Sequence, residues 1–396
     1  MVQVRSLQNS SFRFFLLAIL SALFLCATQT AHAQTLTTLY SFKGGADGGN
    51  PYFAALMLDG QGNLYGTTFA GGTQGMGVVY RVTPAGKEQV IYSFESAVGC
   101  LIYGGVIADP SGHLYGTAGG CGANNAGSVY EVTAPGTAQA LYSFTGGADG
   151  GNPIDALVRD SAGNLYGTTN EGGASGCFGL GCGTVFELTS SGVESVLHMF
   201  TGGDGENPVG ALVRDPNGNL YGTTGQNGSG CCGTIFQLAS SGTETTLFNL
   251  SGGNGSGPGP NRLVLAGGHL YGTTSVGGAF GDGAVIEVKG LETEQVLHSF
   301  NGLDGLNPYG GVIRDAQGNL YGTTFGGVNE GCNTVGCGDV YEISASGVFT
   351  VLYTFTGATD GGNPAGGLVM DKNGNLYGTT YGYGAHGFGT VFKLTP

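Results

Sequence analysis

Asn219-Leu220-Tyr221-Gly222-Thr223-Thr224 decides the fold, because its Tyr-Gly-Thr core returns at Tyr65, Tyr115, Tyr166, Tyr271, Tyr321 and Tyr377. Successive tyrosines are 50, 51, 55, 50, 50 and 56 residues apart, an interval of the size of one propeller blade. Around Tyr221 the unit reads as four short strands. Residues 210–215 carry an apolar inner strand (Ala211, Leu212, Val213), called strand a. Asp215-Pro216-Asn217-Gly218-Asn219 is turn chemistry: Asp bonds the backbone ahead of it, Pro sets φ, and Gly and Asn accept left-handed conformations. Strand b covers 220–224, strand c 233–238 and strand d 244–250.

Four strands in each of seven units predict an all-β, seven-bladed propeller of antiparallel blades, an arrangement that leaves only short sheet edges. The ends carry matching fragments. A lone strand d at 36–42 precedes the first unit, and strands a, b and c of the last unit end the chain. The N-terminal strand is therefore expected to pair with residues 389–395 and close the seventh blade. A glycine inside strand b loses packing and backbone entropy. It is expected to admit a large side chain from the neighbouring blade, such as the Phe that ends strand d.

Composition narrows the function. Only 10% of the 396 residues are charged and the formal net charge is −15. Phosphate backbones and anionic lipids need clustered Lys and Arg, so neither is an expected partner. Arg5 and Arg13, an apolar run over 14–27 and Ala31-His32-Ala33 read as a signal peptide, residues 1–33. Its removal would take Cys26 away and shift the formal charge to −17. The remaining chain, 34–396, is expected to be one domain, secreted or periplasmic, without membrane insertion, and a monomer.

Strand direction places the b-to-c loops and d-to-a connections on one face. All eight remaining cysteines fall there, and an even count in an exported chain reads as disulfides. The expected pairs are Cys100 with Cys121, Cys177 with Cys182, and Cys332 with Cys337; Cys231 and Cys232 are either a vicinal bridge or reduced. The d-to-a connections also repeat Asp-Gly-x-Asn-Pro, with Asp47, Asp149, Asp204, Asp304 and Asp360 expected at the mouth of the central channel. Oxygen ligands of this kind suit calcium or a polyhydroxylated ligand. A plainer role is closure of the local turn. Of the histidines, His113 and His269 replace turn Asn, His198 and His298 replace the strand d Tyr, and His386 alone follows no repeat rule.

The unit Asp-x-x-Gly-Asn-Leu-Tyr-Gly-Thr-Thr, then Gly-Gly, Gly-x-Val-Tyr or Gly-x-Val-Phe, Leu-Tyr-Ser-Phe and Asp-Gly-x-Asn-Pro, closely resembles the bacterial GloVer tandem repeat over residues 35–396. That resemblance implies an exported repeat protein. The chain is expected to differ from anchored members in lacking a sorting tail. A more distant similarity to NHL-like propellers brings both binding modules and enzymes into view, but no catalytic residue transfers by motif. The expected function is a binding or scaffold module for a glycan, peptide or protein on the loop face. The alternative is a propeller lyase or hydrolase with an acidic channel-mouth site, metal-assisted in one version.

Overall fold

The computed structural model describes residues 34–395 apart from 227–231, 260–261, 291–292, 330 and 333. The expected signal peptide lies outside these residues. Seven antiparallel sheets form the ring, and six have four strands. The Tyr-Gly-Thr stretch is strand b in every blade, for example Leu64–Thr68, Leu165–Thr169 and Leu220–Gln226. The seventh blade is composite as expected. Thr35–Ser41 pairs antiparallel with Thr390–Thr395, from Thr35 opposite Thr395 to Ser41 opposite Thr390.

Each letter of the stretch has a physical task. Strand register sets Gly222 opposite Phe236, Gly66 opposite Tyr80 and Gly378 opposite Phe392. The strand c ring lies across the glycine: a Cβ on Gly222 would stand 2.6 Å from Phe236 Cζ and 2.9 Å from Leu212 Cδ2. This corrects the expectation of a ring from the neighbouring blade. Cross-strand pairing within the blade brings its own strand c ring over the gap first. The strand d Phe then packs edge-on against that ring from the blade before it. Phe42 meets Tyr80, Phe94 meets Tyr130, Phe144 meets Phe186, and Phe200 meets Phe236, with centroids 4.9 to 5.1 Å apart. Phe300 with Tyr341 and Phe355 with Phe392 repeat the contact at 5.2 Å.

The threonines divide the remaining work. Thr67 Oγ1 donates to the Gly104 carbonyl of the next blade at 2.9 Å, and Thr117 Oγ1 to that of Asp155 at 2.6 Å. The second threonine stays within its blade: the first amide of strand c donates to it, as Val78 N does to Thr68 Oγ1 at 3.1 Å and Thr234 N to Thr224 Oγ1 at 3.0 Å. Neighbouring inner strands approach backbone to backbone. A Cβ on Gly105 would lie 2.5 Å from the Ala55 carbonyl oxygen. Four inner strands accordingly keep only two residues of regular ladder, Met57–Leu58, Ile107–Ala108, Val158–Arg159 and Val369–Met370, fewer than the apolar runs suggest. In blade five, Ser256–Pro258 and Val264–Ala266 both pair with His269–Val276, giving a fifth strand.

Two outcomes test this packing. Deleting residues 34–43 removes the closing strand and the buried Phe42, and is expected to lower the melting temperature by ~10 °C or more; an unchanged melting curve would rule closure out. Gly222→Ala forces a methyl into the Phe236 ring and should cost about 1–3 kcal/mol. Combining it with Phe236→Leu should cost less than the two single losses together in a denaturant double-mutant cycle.

Candidate functional site

The d-to-a connections carry the predicted acidic residues, and each has a local partner. Asp47 Oδ2 accepts from Tyr40 Oη at 2.7 Å and from the Lys43 amide at 2.9 Å. Tyr142 likewise donates to Asp149 at 3.0 Å and Tyr353 to Asp360 at 2.9 Å. His198 and His298 take the tyrosine's place beside Asp204 and Asp304, at 2.9 and 3.0 Å. These partners sit on strand d, the outermost strand, so the five aspartates are tied to the outer part of the face. None of them lines the central channel. His386 is exposed on the last b-to-c loop and lines no part of it either.

The asparagine of the same motif links blades. Asn50, Asn152, Asn207, Asn307 and Asn363 all have φ between 50° and 56°. Asn50 Nδ2 reaches the Tyr381 carbonyl at 3.0 Å, and Asn307 Nδ2 that of Ser275 at 2.8 Å. The connection into blade two lacks the motif, yet Leu101 adopts φ 58° at the same place. There the Cys100–Cys121 disulfide ties connection to b-to-c loop. Cys177–Cys182 and Cys332–Cys337 also form as expected. Cys232 is disulfide-bonded, while Cys231 lies outside the described residues.

The channel itself is a cavity of about 570 Å³ walled by strand a of all seven blades. Its lining is largely apolar, with Leu56, Ile107, Leu157 and Val369, and its charged groups are Asp155, Arg262 and Arg314. Asp155 is 4% exposed. Burial pushes its carboxyl up to about 7, against hydrogen bonds from the Gly210 amide and Thr168 that favour the charged form. No ion pair of the described residues includes it.

At the loop-face end of this cavity the rings of four blades converge. Tyr52 lies 3.8 Å from Phe53, 4.9 Å from Tyr381, 6.1 Å from Tyr103 and 6.5 Å from Phe69, centroid to centroid. Phe69 and Tyr103 are 5.2 Å apart, and Tyr309 joins Phe53 at 5.7 Å and Phe325 at 5.4 Å. All seven are half-buried, so each keeps an accessible surface. Burial raises the Tyr52 phenol, with Tyr309, Tyr381 and Tyr103 adding to the shift. It therefore stays a neutral donor at ordinary pH.

This crown was missing from the sequence-based expectations. Six of its seven rings occupy two positions per blade, just after the Asn-Pro of the connection (Tyr52, Tyr309, and Tyr103 at the counterpart in blade two) and just after the second Thr (Phe69, Phe325, Tyr381), while Phe53 follows Tyr52. Blades three and four have Ile154, Asn170, Val209 and Gly225 at the corresponding positions. The signal was a difference among repeats, visible only after alignment by the Tyr-Gly-Thr phase.

Asp155 makes stability depend on pH. Its folded-state value lies above the unfolded one, so the native state retains a proton that the unfolded chain releases, and stability falls as pH rises from about 4 to about 7. Asp155→Asn should remove this loss, about 1.4 kcal/mol for each tenfold difference in proton affinity between the folded and unfolded states. Urea melts at pH 4 and pH 8 check it: the variant should gain at pH 8 and change little at pH 4.

The model of a Gloeobacter/Verrucomicrobia repeat matches residues 26–180, 89–286 and 261–396. Comparison with curated proteins returned no match. Among solved structures, the extracellular domain of a protein described as a hybrid two-component system from B. thetaiotaomicron superimposes with a TM-score of 0.57 at 12% identity, covering 90% of this chain and 39% of that one. A gluconolactonase from Xanthomonas campestris gives 0.48 at 15%, covering 93% of each chain. A luciferin-regenerating enzyme gives 0.47 at 13%, covering 92% and 95%. Such identities bear on the fold alone. The family match spans nearly the whole chain, which belongs to the Gloeobacter/Verrucomicrobia repeat family.

Proposed function

We propose that this Gloeobacter/Verrucomicrobia repeat propeller is an exported binding module that takes neutral glycans at the aromatic crown. The observation that carries the reading is the convergence of seven half-buried rings on one side of the channel mouth, centred on Tyr52. Ligand sites are concave, mostly apolar and furnished with a few placed polar groups. A sugar offers an apolar C–H face for a ring and hydroxyls for the tyrosine rims, which suits rings with one apolar body and one polar tip. The acidic chain, at −15 overall, favours a neutral ligand over a polyanionic one. Three disulfides on the same face fit an oxidising compartment.

The lyase or hydrolase reading rests on Asp155, a carboxyl that keeps its proton near neutrality. Glycoside hydrolysis uses two carboxyl groups across the scissile bond. The channel lining contributes one, so binding is the better-supported function.

The chain has no tryptophan, so tyrosine emission is read without overlap, and the contribution of Tyr52, Tyr103, Tyr309 and Tyr381 is the part that a crown ligand changes. Titration with neutral cello-, xylo- and chito-oligosaccharides should give a saturable change for at least one series. Tyr52→Ala should weaken that binding about tenfold or more, the loss of one central ring contact. The surface control Val348→Ala should leave it unchanged. Absence of binding across the panel, or equal binding by Tyr52→Ala, would overturn the proposal.

A further inference from the structure

At the outer edge between blades three and four, the repeat departs from itself in a way that assembles three metal ligands. Strand d normally presents Tyr to the connection aspartate, as at Tyr40, Tyr142 and Tyr353. His replaces it twice, at His198 and His298. Near the start of strand d in the following blade, a glutamate stands at Glu88, Glu194, Glu244 and Glu294, whereas Phe349 occupies that position after His298. Only at blades three and four do His, Asp and Glu coincide.

We propose that His198, Asp204 and Glu244 form a binding site for a first-row divalent metal such as Zn²⁺, joining blade three to blade four. One ligand atom from each lies within 4.8 Å of the other two. Small side-chain rotations bring that spread to the separation of about 3.3 Å between ligands of a tetrahedral zinc ion. His198 Nε2 already faces Asp204 Oδ2 at 2.9 Å, so an ion would take the place of the proton between them. The other Asp204 oxygen is held by the Thr201 amide at 2.8 Å and hydroxyl at 2.9 Å, which orients Oδ2 toward the site. His198 and Asp204 side chains are 19% and 20% exposed, enough for an ion to enter. An imidazole nitrogen with two carboxylates suits zinc, cobalt or nickel better than calcium, whose ligands are oxygens.

The second His site is the built-in control. Phe349 stacks on His298 with centroids 3.8 Å apart and planes 6° from parallel, filling the place of the third ligand with a ring.

Isothermal titration of the signal-free chain with Zn²⁺, paired with melting curves in EDTA and in Zn²⁺, tests the site. The wild type should bind one ion saturably at this site and melt higher with it. His198→Tyr restores the residue found at this position in four other blades (Tyr40, Tyr92, Tyr142 and Tyr353), so it should fold, melt like wild type in EDTA, and lose both the binding and the thermal gain. Glu244→Gln should weaken binding tenfold or more. His298→Tyr should bind as wild type does. No saturable binding by the wild type, or binding that persists in His198→Tyr, would overturn the assignment.

Discussion

The fold depends on one contact, the edge of a strand d phenylalanine against the strand c ring of the next blade. Each blade is apolar on both faces and cannot bury either alone; stacking supplies the partner surface. The strand c ring must be within reach of the neighbouring Phe and still lie on its own sheet, and it can do so only if strand b has no side chain beneath it. Gly222 and its counterparts follow from that requirement. Blade five shows that the constraint concerns volume more than aromaticity. Leu250 and Ile286 replace the ring pair there and share one buried cluster.

Much of this was legible because local chemistry repeats. The blade count, the composite seventh blade and three disulfides followed from phase and spacing, since a pair such as Cys177 and Cys182 lies in a single loop. Interactions between unlike positions were less legible. The ring over Gly222 was assigned to the wrong blade because register, not proximity in sequence, sets Phe236 opposite it. The aspartates looked like a channel rim, but Tyr40, His198 and their counterparts hold them over the outer strands. The aromatic crown was hidden for a related reason. Its members run from Tyr52 to Tyr381, and only ring closure brings blades one, two, six and seven together.

Symmetry and its breaking are thus divided by position within the unit. Residues that join strands or blades, such as Asn50 and Thr67, recur because every joint has the same geometry. Residues one step beyond them vary at little structural cost. That is where Tyr52 and Phe69 stand on one side of the channel and Ile154 and Asn170 on another. A scaffold of equal joints can carry unequal surfaces, which lets one half of the mouth become apolar while the other remains plain.

The pairing of Thr35–Ser41 with Thr390–Thr395 has a consequence for how the molecule comes into being. Thr35–Ser41 is synthesised before the other described strands yet is among the last to find its partner, because Thr390–Thr395 is made after all of them. Six blades can assemble from neighbouring segments while this strand waits with unsatisfied amides. Completion of the ring is therefore a late, long-range event of the kind that slows folding. It also makes full-length synthesis a condition of closure: a chain cut short near its end leaves the waiting strand and the exposed flank of blade one as partners for another copy.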